Sequence, residues 1–185
     1  MQLVTQRLAL REFELEDWTE VLRYQCDPRY MRYYPWCARG AEDVQRYVNE
    51  CVARQAEEPR SIFQVAITLP AEGLRLIGSC GVRVNDFARR EGNIGYELDP
   101  EYWRHGYAAE AASAVMRFGF ERLGLHRIWA QCNADNRASA RVLEKLGMRC
   151  EAHFRKHDYF KGRWWDSLVF AILENEWTPS HLVEQ

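Results

Sequence analysis

The chain has 185 residues, of which 47% are hydrophobic and 28% are charged, with a formal net charge of −2 at pH 7. This composition is typical of a globular protein rather than a disordered one, and the length fits a single domain covering residues 1–185. A net charge near zero excludes a domain-wide basic surface, so nucleic acid is not expected as a partner.

Hydrophobic spacing divides the chain into strand and helix segments. The early part predicts one strand and two helices separated by an aromatic loop, and a meander of three strands follows. A helix, a strand, a helix and a final hairpin of two strands complete the order, which indicates an α/β fold with a mixed sheet and helices on both faces. The predicted strands are residues 8–13, 61–68, 74–84, 92–98, 127–132, 148–159 and 164–173, and the predicted helices are residues 17–26, 41–57, 107–123 and 138–146.

The cysteines and the first residues of the chain bear on metal binding and location. The six cysteines are scattered without the CxxC spacing of a zinc site, so we expect free thiols and no bound metal. The beginning of the sequence lacks the apolar core of a signal peptide, and no apolar run approaches the length of a membrane span. The sequence therefore predicts a cytoplasmic protein with no membrane contact.

The junction between the third meander strand and the next helix is a tight turn that contains Gly106. Such a turn leaves backbone N–H groups unpaired at the helix start, where these donors and the helix dipole favour an anion, usually a phosphate. A lone glycine also fits a simple chain reversal, so both interpretations stay open at this point. The Gly-Lys-Ser/Thr of a Walker loop is absent, as is a GxGxxG motif near the first strand.

A second motif lies one strand and one loop beyond the helix that follows this turn. It reads Asn136-x-x-Ser139 and leads into a helix ending Glu-Lys-Leu-Gly147-Met148. Together the two motifs resemble the Gcn5-related N-acetyltransferase (GNAT) family, most closely its branch that acetylates the N-terminal alanine or serine of ribosomal proteins. Two residues depart from the family pattern, since Trp103 stands where many members carry Gln or Arg, and Met148 replaces a Phe. Further segments that fit the branch are Tyr102-Trp103-Arg104-His105-Gly106-Tyr107-Ala108, Arg7-Leu8-x-Leu10-Arg11 and Gly162-x-Trp164-x-Asp166-Ser167-Leu168.

The resemblance implies a mixed, mostly antiparallel sheet of about six to seven strands and acetyl-coenzyme A as the cofactor. It implies that the Gly106 turn binds the pyrophosphate, mainly through its main chain, and that Ser139 protonates the departing thiolate directly or through water. Ser139 also suits an ordinary serine on a helix surface. Asn136 is expected to bind the pantetheine amides, although it also fits a simple helix N-cap. The residues predicted to bind the cofactor are Leu98, Arg104, His105, Gly106, Tyr107, Ala108, Ala109, Asn136 and Ser139.

Glu97 ends the strand before the turn and points to the face opposite Tyr96 if the strand alternates regularly. A carboxylate there suits uptake of the amine proton through water, although an exposed strand-end glutamate is the simpler explanation. A backbone N–H near Leu98 is the expected oxyanion donor if the strand splays. The aromatic loop, residues 30–36, is expected either to recognise the acceptor or to pack as ordinary structure. The predicted catalytic residues are Ser139 and Glu97, and the predicted acceptor-binding residues are Tyr33, Tyr34, Trp36 and Glu97.

The sequence as a whole predicts acetyl transfer from acetyl-coenzyme A to a primary amine, by direct attack in a ternary complex. The branch resemblance favours a protein N-terminal α-amine as the acceptor. An aminoglycoside, a polyamine or an amino acid remains open, as do a catalytically silent acyl-coenzyme A-binding module and a phosphate-binding regulatory domain. A homodimer is expected from the resemblance alone.

Overall fold

A computed structural model describes residues 1–178 of the chain, which form one sheet with helices packed against it. The strands are β1 (Leu3–Val4), β2 (Ala9–Glu12), β3 (Ile62–Leu69), β4 (Arg75–Asp86), β5 (Glu91–Leu98), β6 (Arg127–Asn133), β7 (Arg149–Phe160) and β8 (Arg163–Leu173). The α-helices are α1 (Trp18–Gln25), α2 (Pro28–Met31), α3 (Ala41–Ala53), α4 (Tyr107–Glu121) and α5 (Arg137–Lys145).

The sheet has the strand order β1-β2-β3-β4-β5-β6-β8-β7. The pair β5–β6 is parallel, and the other described pairs are antiparallel. This confirms the predicted mixed, mostly antiparallel sheet, but it has eight strands rather than six or seven. The additional strand, β1, pairs Leu3 with Leu10, and its two residues are too few to show a period.

Helices cover both faces of the sheet because side chains alternate along each strand. In β3, Val65 and Ile67 belong to the core cluster beneath α4 and α5, whereas Ala66 belongs to the cluster beneath α1, α2 and α3. All three residues are fully buried. Complete burial of a side chain the size of Val or Ile contributes about 1.5–3 kcal/mol, so the two clusters fix α4 and α5 on one face and α1 to α3 on the other.

The largest differences from the predicted helices concern α3, α4 and α2, whereas α1 and α5 differ by one residue at each end. Helix α3 ends at Ala53 because the next residues, Arg54–Ala56, tighten into a 3₁₀ turn. Helix α4 ends at Glu121, two residues before the predicted end. The predicted aromatic loop begins within a short helix, α2, where Asp27 caps the Arg29 N–H and Pro28 takes the first helical position, which suits its fixed φ.

Three further observations concern membrane-spanning helices, metal sites and cysteines. Within residues 1–178, no helix is both long and apolar enough to cross a membrane. In the same part of the chain, no group of three or more His, Cys, Asp or Glu side chains is arranged to hold a metal ion. The six cysteines are free thiols, and three of them, Cys51, Cys80 and Cys132, are buried.

Candidate active site

A cleft opens in the sheet where the two parallel strands diverge. Strands β5 and β6 pair from Glu91 and Arg127 as far as Asn93 and Trp129, and no pairing between them is recorded beyond that point within residues 1–178. The remainder of β5, up to Leu98, is still held by β4 on its other side. A strand that is paired on one side and splayed on the other has backbone groups that face no neighbouring strand on the splayed side, where a ligand can bind them.

The turn after β5 has the geometry of an anion cradle. Arg104 has a φ of 66° and Gly106 a φ of 81°, so two residues of a short turn adopt the left-handed conformation. Helix α4 begins immediately afterwards at Tyr107, and the N-cap Gly106 has no side chain to satisfy the first N–H groups. Successive N–H groups in such a turn converge on an anion, and the helix dipole reinforces them.

The predicted cofactor-binding residues of this turn differ in how exposed they are. Arg104, His105 and Gly106 are exposed, Tyr107 and Ala108 are half-buried, and Ala109 is buried in the core, where only its backbone is available. Trp103, which departs from the family pattern, turns its indole N–H back to the Leu98 carbonyl at 3.0 Å. Its side chain therefore fastens the turn to the end of β5. Beside the turn lies an open cavity of about 540 Å³, lined in part by Tyr102, His105 and Tyr107.

The start of α5 lies against β5, on the same face of the sheet as α4, where Ser139 contacts Tyr96. Asn136 accepts a hydrogen bond from the Ser139 N–H through its side-chain oxygen at 3.2 Å, so it is the N-cap of the helix. Its amide NH₂ makes no hydrogen bond to the described part of the chain and remains available as a donor. The structure thus confirms the N-cap, and pantetheine binding by the amide NH₂ stays a prediction.

Ser139 makes a side-chain contact that the sequence analysis missed. Its Oγ lies 2.9 Å from the phenol oxygen of Tyr96, which also donates to the Ser139 carbonyl at 3.0 Å. Burial raises the pKa of Tyr96 above its ordinary value, so the phenol stays protonated. The Cys132 thiol adjoins the same serine, and burial raises its pKa to about 11, so it is not a thiolate at neutral pH.

Glu97 lies on the other face of β5, opposite Tyr96 as the alternation predicts. Its Oε1 accepts hydrogen bonds from the Tyr24 hydroxyl at 2.6 Å, the Gln25 amide at 2.9 Å and the Ser79 hydroxyl at 3.1 Å. Its Oε2 accepts from the Tyr30 hydroxyl alone. Since each carboxylate oxygen has about two lone pairs, Oε2 is the oxygen with spare capacity for a water or an amine.

The tyrosine hydroxyl groups around Glu97 stay protonated. Burial, reinforced by the nearby negative charge of Glu97, raises the pKa of Tyr24, Tyr30, Tyr34 and Tyr47 above the ordinary value. These side chains therefore keep their protons across the range in which a protein works. Glu97 is accordingly fixed in position by neutral donors, and no Lys or Arg within residues 1–178 forms an ion pair with it.

The predicted acceptor-binding aromatics divide into two groups. Tyr34 stacks on Tyr30 at 4.8 Å between ring centroids, and Trp36 stacks on Tyr34 at 4.5 Å, so these two belong to a column that ends at Glu97. Tyr33 points away from that column, and its hydroxyl donates to the Asp135 carbonyl at 3.1 Å. It also meets Trp165 edge-on at 6.2 Å, which places it at the rim between the loop and the β7–β8 hairpin.

A splayed parallel pair, an anion cradle at the adjoining helix and polar side chains on both faces of β5 match the site that the resemblance implies for an acyltransferase using coenzyme A. The family model described as an acetyltransferase (GNAT) domain matches residues 7–149, and the chain belongs to the GNAT family. This confirms the resemblance found in the sequence and identifies an acetyl-coenzyme A-dependent N-acetyltransferase.

Individual proteins agree with this assignment. The N-acetyltransferase YnaD of Bacillus subtilis (strain 168) is 38% identical over 177 residues, which is 96% of this chain and 99% of that protein. The crystal structure of a GNAT-family acetyltransferase from Bacillus anthracis matches with a TM-score of 0.83 at 35% identity, covering 95% of this chain and 100% of the other. The ribosomal-protein-S5-alanine acetyltransferase of Vibrio fischeri shares the fold, with a TM-score of 0.81 at 23% identity over 97% of this chain and 100% of its own.

Proposed function

We propose that the protein transfers the acetyl group of acetyl-coenzyme A to the α-amine at the N-terminus of a peptide or protein, by direct attack in a ternary complex. The donor supplies an activated thioester, and the chain supplies binding, orientation and proton transfer. The Cys132 thiol beside Ser139 is buried, and burial raises its pKa to about 11, so it is not a suitable nucleophile for a covalent acetyl-cysteine route at neutral pH.

The donor is assigned to the cleft and its two flanking helix starts. The backbone of Arg104, His105, Gly106, Tyr107, Ala108 and Ala109 binds the pyrophosphate, and the free amide NH₂ of Asn136 binds the pantetheine arm. The β5 backbone near Leu98 stabilises the negative charge that develops on the carbonyl oxygen. Three neighbouring features support this assignment: the left-handed turn after β5, the start of α4 and the separation of β5 from β6.

Two side chains handle the protons. As the amine nitrogen bonds to the acetyl carbon and the carbon–sulfur bond breaks, Ser139 donates its hydroxyl proton to the departing sulfur. The amine loses its own proton through water to the Oε2 of Glu97. Tyr96 lies 2.9 Å from Ser139 and, being protonated, hydrogen-bonds Oγ as the serine proton leaves. The proton taken up by Glu97 returns to Oγ through solvent, so both side chains regain their resting state.

The observation that carries the choice of acceptor is the isolation of Glu97 as a negative charge. Five acidic side chains on the flanking elements and loops are paired with arginine. A polyamine carries several positive charges and requires several free carboxylates, whereas an α-amine carries one. The paired carboxylates are Asp27 and Glu101 with Arg29, Asp99 and Glu20 with Arg23, and Asp135 with Arg163.

The experiment is an amine panel in which release of free coenzyme A thiol is measured with acetyl-coenzyme A in excess. Its members are a peptide beginning with Ala or Ser, the same peptide blocked at its α-amine but carrying an internal lysine, spermidine, an aminoglycoside and a free amino acid. We expect the highest kcat/KM for the free peptide and no turnover with the blocked one. A higher kcat/KM for spermidine, the aminoglycoside or the amino acid would contradict the proposed acceptor.

A further inference from the structure

The turn between β1 and β2 reaches across the molecule to the first turn of α4. Thr5 donates its hydroxyl to Glu110 Oε1 at 2.6 Å, and the Arg7 backbone N–H donates to the same oxygen at 2.9 Å. The Arg7 side chain donates through Nε to Glu110 Oε2 at 2.7 Å. Both oxygens of one carboxylate on α4 are therefore held by a segment more than a hundred positions earlier in the chain.

The Arg7 guanidinium also contacts the phosphate-binding turn itself. Its Nη1 donates to the His105 carbonyl at 2.9 Å, and the guanidinium lies 4.6 Å from the centre of the Tyr107 ring. Its Nη2 is so close to Gly106 that a methyl group on this glycine would lie 3.4 Å from it. The Arg7 side chain thus lies against three consecutive residues of the turn, namely His105, Gly106 and Tyr107.

The conformation of the turn explains why such a contact matters. Arg104 is left-handed although it carries a Cβ, and sparsely populated backbone conformations persist only where the surroundings hold them. The turn must also keep several N–H groups aimed at one point to bind an anion. A hydrogen bond to the His105 carbonyl fixes the peptide plane between these two left-handed residues.

The negative charge of Glu110 is a second reason why the contact between Arg7 and the turn matters. Glu110 is in the first turn of α4, where its carboxylate would repel a bound phosphate. Arg7 forms an ion pair with it at 2.6 Å, and the side chain of Glu110 is only 15% exposed. The hydrogen bonds from Thr5 and Arg7 also aim both carboxylate oxygens at the β1–β2 turn, so the N–H groups at the helix start keep their attraction for an anion.

We propose that Arg7, held by Thr5 and Glu110, is a positioning residue for the pyrophosphate of the acetyl donor. The inference rests on the proposed function of the Arg104–Ala109 turn and adds to it an element from the other end of the fold. Arg7 acts through the turn rather than by touching the phosphate, because its donors are already directed to Glu110 and His105. The motif Arg7-Leu8-x-Leu10-Arg11 thereby gains a function in donor binding.

The test compares two donors in the Arg7→Ala protein. Acetyl-coenzyme A contains the pyrophosphate, whereas S-acetylpantetheine carries the same thioester without it. For Arg7→Ala we expect the KM for acetyl-coenzyme A to rise about tenfold with little change in kcat, because displacement of positioning groups by even about 1 Å has effects of this size or larger. The KM for S-acetylpantetheine and the KM for the amine should stay at their wild-type values.

Arg90→Ala is the matched control. Arg90 also bonds one carboxylate, Glu174, and one backbone carbonyl, that of Gly124, but away from the turn. We expect this variant to behave as wild type with both donors. Arg7→Lys keeps the positive charge but cannot bond Glu110 and His105 with one planar group, so it should shift the acetyl-coenzyme A KM in the same direction as Arg7→Ala.

The outcomes separate this inference from the function on which it rests. If the KM values for acetyl-coenzyme A and S-acetylpantetheine rise equally in Arg7→Ala, the variant has a general defect of the fold and the positioning function is overturned. An unchanged KM for acetyl-coenzyme A would also overturn the positioning function. Coenzyme A binding is measured in parallel by calorimetry on the wild-type protein. If the wild type binds no coenzyme A, the proposed pyrophosphate turn itself fails; if it binds and Arg7→Ala binds equally well, only the positioning function fails.

Discussion

The side chains of Ser139 and Tyr96 form a hydrogen-bonded pair across the cleft, with their oxygens 2.9 Å apart. Since Tyr96 donates to the Ser139 carbonyl, the serine hydroxyl at rest donates to the phenol oxygen. Proton donation from Ser139 to sulfur requires this hydroxyl to rotate, after which Tyr96 is placed to donate to Oγ. The pair therefore functions as a unit, and its members should not contribute independently.

Replacement of Ser139 by alanine should lower kcat by about 100-fold or more, which is the usual effect of losing a general acid. The affinity for acetyl-coenzyme A should change little, because Asn136 and the turn remain in place. Steady-state kinetics and calorimetric titration with coenzyme A check the two parts. Unchanged turnover would remove Ser139 from the reaction.

Replacement of Tyr96 by phenylalanine should lower kcat by about fivefold, the effect of one hydrogen bond worth about 1 kcal/mol. In the double variant with Ser139→Ala, the loss should be no larger than that of Ser139→Ala alone, because the phenol then has no hydroxyl to support. Tyr159→Phe, on the exposed part of β7, is the control and should leave kcat unchanged. Additive losses would show that the two side chains act separately.

Glu97 should affect the acceptor and not the donor. Glu97→Gln keeps the shape of the side chain and removes its charge and its ability to take up a proton. We therefore expect kcat to fall about 100-fold, the usual effect of losing a proton acceptor. The KM for the amine should rise about tenfold, equivalent to about 1.4 kcal/mol, with coenzyme A affinity unchanged. Glu121→Gln, at the exposed end of α4, is the control for loss of one negative charge. A weaker affinity for coenzyme A together with an unchanged KM for the amine would show that Glu97 acts on the donor, and would contradict this prediction.

At the scale of elements, the start of α4 depends on a carboxylate whose ionisation is linked to folding. Burial alone would raise the pKa of Glu110, but hydrogen bonds from Thr5 and Arg7 outweigh burial and hold the pKa below its ordinary value of 4.5. A pKa lower in the folded state gives stability that is present above the unfolded value and is lost as pH falls through the folded value. Glu110 therefore stabilises the protein at neutral pH and ceases to do so in acid.

The corresponding prediction concerns Glu110→Gln. Near neutral pH this variant should be less stable than the wild type, and the difference should shrink as pH falls below about 4.5. Urea unfolding of both proteins at several pH values measures this difference directly. A difference that stays constant or widens in acid would show that Glu110 does not contribute through its charge.

The same elements show what local sequence patterns predict. The period of α4 and α5, the N-cap Asn136 and the stop at Gly147 are local signals, and both helices lie within two residues of their predicted ends. Helix α2 was not predicted, because a proline such as Pro28 typically ends a helix, whereas here it is the first residue of the next one.

The donors around Glu97 were missed for another reason. Tyr24 and Gln25 contact it from 73 and 72 positions away in the chain, a distance over which no local pattern is informative. The Tyr96–Ser139 contact joins strand and helix across 43 positions and was hidden for the same reason. Only the alternation that places Tyr96 and Glu97 on opposite faces was visible in the sequence.

At the scale of the whole molecule, the core beneath α4 holds the turn and the splayed strands in a fixed relation. Met116 on α4 is fully buried, so Met116→Ala should lower the free energy of unfolding by about 2–5 kcal/mol. Arg117→Ala, at the next and exposed position, should change it by no more than about 0.5 kcal/mol. Equal effects in chemical denaturation would contradict the assignment of this face of α4 to the core.

Direct transfer within a ternary complex is the central claim, and intact-mass measurement with acetyl-coenzyme A tests it. The protein is mixed with acetyl-coenzyme A alone and then with a peptide that has a free α-amine. We expect the protein mass to stay unchanged in the first mixture, and the peptide to gain one acetyl group per coenzyme A released in the second. An acetylated protein that forms without the amine, and disappears when the amine is added, would contradict the account.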